Sequence, residues 1–188
     1  MAEIARSEFI LGGQKSGKSR RAELLARDWL AAAPYHRAVL IATARAGDEE
    51  MRERIARHQR DRAERVPGLL TVEAPLDPGA ALRLHTSPQT LVVIDCLPLW
   101  LTNWRLPADG ASAEPAGADQ ALHTLLAAVA AASGPVVVVS NEIGLGVIPL
   151  GREVRAFVDA LGQANQAVAA ACCRVTFMAA GLPLTMKE

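Results

Sequence analysis

Eight residues constrain this chain more than any others: Gly12-Gly13-Gln14-Lys15-Ser16-Gly17-Lys18-Ser19. They match Gly-x-x-x-x-Gly-Lys-Ser/Thr, and each part has a chemical reason. Glycines let successive backbone N–H groups turn inward around a phosphate. A helix that starts near Gly17 points its positive end at the same anion. Lys18 is placed to reach the β- and γ-phosphates, and the Ser19 hydroxyl to ligate Mg²⁺. The context supports this reading, since the apolar Glu8-Phe9-Ile10-Leu11 precedes the loop and an Ala/Leu-rich helical stretch to Ala33 follows it. Lysine usage agrees. Lys15, Lys18 and Lys187 are the only lysines and every other basic residue is arginine, so two of three ammonium groups fall in this one turn. The residues thus predict a nucleotide-binding enzyme that uses the phosphates of GTP or ATP.

The rest of the chain has the pattern such a loop requires. Ala38–Ala42, Thr90–Ile94 and Pro135–Val139 are continuous apolar runs, which read as strands buried on both faces, with Leu69–Ala74 and Val175–Met178 as further strands. Helical stretches over Asp48–Arg65, Ala118–Ala132 and Leu150–Cys173 separate them, and Pro107–Gly117 reads as a surface loop. Strands alternating with helices predict an α/β P-loop (RecA-like) fold, a mostly parallel sheet flanked by helices, in one domain over residues 1–188. Ligands of such sheets bind beyond the carboxyl ends of the strands. The polar residues there are the Gly12 loop, Thr43, Asp95 and Ser140-Asn141-Glu142, which should converge on one edge. Asp95, directly after a buried strand, is either the second Mg²⁺ ligand or a loop acid.

Several function classes are disfavoured. Twenty basic residues balance twenty acidic ones, so no net charge recruits nucleic acid or an anionic membrane. Met1–Arg6 lacks a signal-peptide core, no apolar run reaches membrane-spanning length, and Cys96, Cys172 and Cys173 have no framework spacing, so a reduced cytoplasm is expected. A regulatory GTPase reads guanine with Asn-Lys-x-Asp, whereas Glu142 follows Asn141. The length suits a small-metabolite kinase or nucleotidyltransferase. In the charged stretch 48–62, Met51, Ile55 and His58 fall on one helical face, which predicts that the imidazole turns toward the body of the protein among Arg54, Arg57 and Arg62. Such an imidazole is either a half-buried packing residue or a nucleophile toward phosphorus, with guanidinium groups neutralising the developing charge. A kinase of another small metabolite and a nucleotide-gated binding module remain open on these residues.

Three segments together resemble one family. They are the phosphate loop, Asp48-Glu49-Glu50-Met51-x-x-Arg54-Ile55-x-x-His58, and Val139-Ser140-Asn141-Glu142-Ile143-Gly144-Leu145-Gly146-Val147-Ile148-Pro149. The tail adds Arg152-x-x-Arg155-x-Phe157-x-Asp159-x-x-Gly162-x-x-Asn165-Gln166 and Gly181-Leu182-Pro183-Leu184. The family is the bifunctional adenosylcobinamide kinase / adenosylcobinamide-phosphate guanylyltransferase of cobalamin biosynthesis. The resemblance runs from about Phe9 to Lys187 and implies two reactions. ATP or GTP phosphorylates adenosylcobinamide, and GTP then guanylylates a histidine that passes GMP to adenosylcobinamide phosphate, giving adenosyl-GDP-cobinamide. The histidine falls on His58. The family's nucleotide contacts fall on Gly12, Gly13, Gln14, Lys15, Ser16, Gly17, Lys18 and Ser19, on Ala42, Thr43 and Ala44, and on Gln59, Arg60, Asp61 and Arg62. Glu73 falls where the family reads guanine, and Asp95 on its strand-end acid, where some relatives carry Glu. The resemblance also implies a homotrimer and a histidine helix that swings relative to the loop.

Overall fold

In a computed structural model, which describes residues 4–106 and 115–188, the apolar runs form the centre of one seven-stranded sheet. The strands are β1 (Ser7–Gly12), β2 (Arg37–Ala42), β3 (Leu69–Glu73), β4 (Thr90–Asp95), β5 (Val136–Val139), β6 (Arg174–Ala179) and β7 (Leu182–Lys187), in the order β3-β2-β4-β5-β1-β6-β7. All neighbours are parallel except β7, which runs antiparallel to β6 at one edge.

Alternation along the central strands divides their side chains between two faces. Phe9, Leu11, Val39, Ile41, Val92, Ile94, Val136 and Val138 share one cluster. Ile10, Ala38, Leu40, Leu91, Val93, Val137 and Val139 share the other. Both faces being covered is why these strands read as unbroken apolar runs. The second face is covered by α1 (Lys18–Ala32) through Ala22, Leu25 and Ala26. The first is covered by α3 (Pro78–His85), α4 (Leu97–Arg105), α5 (Pro115–Ala131) and α6 (Arg152–Ala171), which bring Leu82, Trp100, Leu125 and Leu161 into the core. Each such side chain contributes about 1.5–3 kcal/mol when fully buried. No helix among the described residues is long and apolar enough to cross a membrane.

The remaining helix, α2 (Glu49–Arg65), is built differently. Its start is capped by Asp48, whose carboxylate accepts from Met51 N at 2.7 Å. Glu49 and Glu50 in the first turn and Arg62 and Arg65 in the last complement the helix dipole. Yet Arg62 is its only buried residue.

Sequence patterning did not anticipate α3, α4 and β7. Two of these carry local signals: Asp77 caps α3 with Pro78 following, and α4 likewise has Pro98 in its first turn. The strand β7 is fully exposed and contains Pro183, so nothing but its pairing with β6 marks it as a strand. The expected loop over 107–117 lies outside the described residues up to 114, and residues 115–117 open α5 instead.

Candidate nucleotide and phosphoryl-transfer site

The carboxyl ends of β1, β2, β4 and β5 lie side by side, so the polar residues that follow them share one edge. The phosphate loop is the best fixed of these. Gly12 touches β6 so closely that a Cβ there would stand 2.4 Å from the Met178 carbonyl oxygen. Gly17, at φ +99°, caps α1 with no room for a side chain, since its Cβ would sit 3.2 Å from Gly181 Cα. Gly181 belongs to the β6–β7 turn and its N–H donates to Ser16 O at 3.0 Å. That hairpin therefore backs the loop. Gln14 and Lys15 are exposed, while Ser16 and Lys18 are buried. The Lys18 ammonium lies back inside the loop, donating to Gly13 O at 2.6 Å and approaching Ser16 Oγ at 3.4 Å. Burial lowers its pKa, opposed by the field of Asp95.

Asp95 is the focus of the neighbouring charges. The Ser19 side chain favours its charged form. Burial pushes its pKa up, and the positive fields of Arg62, His58 and Lys18 oppose that shift. Its place is fixed from beneath. The Thr43 hydroxyl, fully buried, is within hydrogen-bond reach of Asp95 O at 2.9 Å and Cys96 O at 2.8 Å. Asn103 on α4 donates to Thr43 O at 2.8 Å and Pro75 O at 2.9 Å. Ala42 lies in register with Asp95 on one side and Glu73 on the other, and Ala44 follows it half-buried. Glu73 is exposed at the end of edge strand β3. The Cys96 thiol is pushed up to about 12, first by burial and then by Asp95, so it stays protonated and is no competing nucleophile.

Ser19 and Asp95 offer a hydroxyl and a carboxylate, hard oxygen groups of the kind Mg²⁺ takes together with nucleotide phosphates. Among the described residues no group of three or more His, Cys, Asp or Glu could hold a metal ion unaided.

On the β2–β4 side, α2 brings His58 to this edge. The face predicted from Met51, Ile55 and His58 is only partly correct. Met51 and Ile55 are half-buried, but His58 is exposed. The ring therefore faces solvent at the mouth of the site rather than the interior. Gln59 and Arg60 beside it are also exposed, and Asp61 pairs with Arg65 at 3.2 Å. Arg62 is engaged by protein groups. Its guanidinium lies 3.7 Å from Asp95, 3.8 Å from Glu23 and 3.3 Å from the Thr71 hydroxyl. Sequence reasoning missed Glu23, which also pairs with Arg65 at 2.6 Å. Burial raises the Glu23 pKa despite both guanidiniums. The available signal was an acid set among the apolar residues of α1, at Ala22-Glu23-Leu24-Leu25-Ala26.

On the other side the topology inserts β5 between the phosphate-loop strand β1 and the acid strand β4. Beyond β5 the chain continues along β1: Ser140 N donates to Ile10 O at 3.0 Å and Glu142 N to Gly12 O at 3.1 Å. Asn165 of α6 holds this segment, accepting from the Ser140 hydroxyl at 2.7 Å and donating to Asn141 O at 3.0 Å.

Comparisons with known proteins agree with this geometry. The family model described as cobinamide kinase / cobinamide phosphate guanyltransferase matches residues 8–186. The chain is 45% identical over 180 residues to the bifunctional adenosylcobalamin biosynthesis protein CobP of Pseudomonas aeruginosa, covering 96% of each chain. It is 30% identical over 187 residues to the bifunctional adenosylcobalamin biosynthesis protein CobU of Escherichia coli, covering 95% of this chain and 98% of that one. Among solved structures, the flagellar accessory protein FlaH of Methanocaldococcus jannaschii superposes with a TM-score of 0.52 at 12% identity, over 98% of this chain and 79% of that one. That likeness concerns the fold alone.

Proposed function

This chain belongs to the cobinamide kinase / cobinamide phosphate guanyltransferase family, an enzyme of cobalamin biosynthesis, and from that premise we propose which of its residues carry each reaction. The observation that carries the reading is an exposed imidazole on α2, one turn before Arg62, whose guanidinium lies 3.7 Å from the strand-end acid Asp95.

In the kinase step the loop amides hold the β- and γ-phosphates of ATP or GTP, and Lys18 leaves Gly13 O to neutralise charge on the moving phosphoryl group. Ser19 and Asp95 would hold Mg²⁺, which would supply charge neutralisation at the phosphate oxygens. Catalysis here is positioning and electrostatics with little covalent help. The product is adenosylcobinamide phosphate.

In the second step GTP occupies the loop and neutral His58 attacks its α-phosphorus. An N–P bond forms as the bond from that phosphorus to the bridging oxygen breaks, and pyrophosphate leaves. A phosphate oxygen of adenosylcobinamide phosphate then attacks the same phosphorus, breaks the N–P bond and takes GMP, giving adenosyl-GDP-cobinamide. Gln59, Arg60, Asp61 and Arg62 follow the nucleophile along α2, and Ala42, Thr43, Ala44 and Glu73 line the β2–β3 end where the guanine is read. In this reading the protein is a cytoplasmic homotrimer. Its free thiols suit a reducing compartment, and exposed Leu182, Leu184 and Met186 along β7 offer apolar surface for self-association.

The test is incubation with GTP labelled at the α-phosphorus. Label should become bound to the protein, lost in acid and kept in base, and the His58→Ala variant should acquire none while still phosphorylating adenosylcobinamide. Undiminished label on that variant would remove His58 from the mechanism.

A further inference from the structure

The segment after β5 contains a carboxylate to which neither reaction above gives a role. We propose that Glu142 is the catalytic residue that receives the proton of the acceptor hydroxyl in the kinase step, and that the adjoining cavity holds the corrinoid. This rests on the reading of the protein as an adenosylcobinamide kinase.

Placement is the first argument. Strand β5 lies between the two strands that carry the phosphate loop and Asp95, so the residues leaving it emerge beside the transferring phosphate. Glu142 is fixed there through its own N–H to Gly12 O at 3.1 Å, while its Oε1 accepts from Gly144 N at 2.8 Å. That bond orients the carboxylate, and Oε2 remains to accept from a hydroxyl. His58 comes from the far side of β4, so the two groups approach the site from different strands.

The cavity is the second argument. Directly beyond Glu142, residues of the segment 143–149 and helix α6 border an open groove of about 520 Å³, within the range of small-molecule sites. One wall is apolar, with Ile143, Val147 and Ile148. The other is α6 with Asp159, Gln163 and Gln166. Val147 and Ile148 are 96% and 76% exposed, an unusual state for apolar side chains that nothing among the described residues covers. Arg155 holds the far end of the segment, donating to Pro149 O at 2.9 Å. A corrin is a broad apolar macrocycle edged with carboxamides. An apolar wall facing two amides and a carboxylate matches both parts, and the open side lets a ring larger than the cavity enter by one edge.

The step balances without a further reactant. The hydroxyl oxygen of the aminopropanol arm attacks the γ-phosphorus and the bond to the β–γ bridging oxygen breaks. The nucleoside diphosphate leaves, and the hydroxyl proton passes to Glu142 and then to solvent. Guanylyl transfer differs, because the attacking phosphate is already an anion and has no proton to lose. Glu142 therefore serves one reaction and the cavity serves both.

The experiment compares Glu142→Gln with the native enzyme on adenosylcobinamide and on adenosylcobinamide phosphate, with self-guanylylation from α-labelled GTP measured on the same preparation. Kinase kcat should fall about 10²–10⁴-fold and lose the acid limb of its pH profile, while protein labelling falls far less. Kinase turnover within about threefold of native, or an equal loss of labelling, would overturn the assignment. A Gln163→Leu/Gln166→Leu variant should raise KM for both corrinoids about tenfold or more with kcat little altered. Unaltered KM together with a changed oligomeric state in sedimentation would show that a second copy covers the groove instead. Failure of the native enzyme to phosphorylate adenosylcobinamide would refute the kinase reading itself, before Glu142 is in question.

Discussion

Two long helices flank the phosphate loop, and they are held in opposite ways. Helix α6 buries Ala160, Leu161, Ala164 and Val168 in the core and adds Asn165 and Arg155 as polar clasps on the segment that follows β5. Helix α2 buries only Arg62, and its attachments are ion pairs to Glu23 and Asp95. An apolar stripe fixes a helix over many small contacts at once. Charge pairs fix it at a few points, and those points can be exchanged for a metal ion or a phosphate. The helix that carries His58, the proposed nucleophile, is thus held by the kind of bond that a bound nucleotide would rearrange, and the helix behind the proposed acceptor cavity by the kind it would leave alone.

The contrast predicts a ranking of effects. Leu161→Ala in α6 should cost about 2–5 kcal/mol of unfolding free energy in urea melts, against roughly 1 kcal/mol for Ile55→Ala in α2. Equal losses would mean that α2 is packed as firmly as α6.

Arg62→Met comes next, with a cost of roughly 1–3 kcal/mol, because Asp95 and Glu23 lose a charged partner. Amide exchange should quicken along α2 and not along α6. Protection lost evenly across the chain would deny that Arg62 is a local clamp.

A smaller effect concerns pH. Burial raises the pKa values of Asp95 and Glu23, so the folded chain binds these protons more tightly than the unfolded chain does. Their contribution to stability is complete on the acid side and is lost as pH rises through the raised values. Nucleotide-free protein should therefore lose stability as pH climbs from the ordinary carboxylate range, and Asp95→Asn should flatten that slope. An unchanged slope in the variant would exclude Asp95 as its source. The smallest effect is that of salt. Raising ionic strength to about 1 M should weaken the exposed Arg65–Asp61 pair by less than about 1 kcal/mol, and exchange in α6 should not respond.

Much of this site was legible in residue order, for reasons that differ from segment to segment. The loop from Gly12 to Ser19 reads from sequence because its conformation is local: glycines at two crowded positions, then a helix start. The central strands read because double-sided burial demands unbroken apolar runs. The direction of His58 was misjudged because a face defined by Met51 and Ile55 alone is too weak to orient a helix, and long-range charges orient it instead. Glu23 and Asn103 went unnoticed because their partners lie 39 or more residues away in the chain at Arg62 and Thr43.

Sequence by itself determined the chemistry available: a phosphate cradle, an acid at a strand end, an imidazole on a charged helix and a carboxylate after the fourth apolar run. Tertiary structure alone decided that β5 enters between β1 and β4, and with it that Glu142 follows the strand next to the loop while the helix of His58 follows a strand beyond β4. The physical reason is that apolar periodicity specifies how a strand is buried but not which strand lies beside it. That neighbour is set by how the crossover helices pack over the two faces of the sheet.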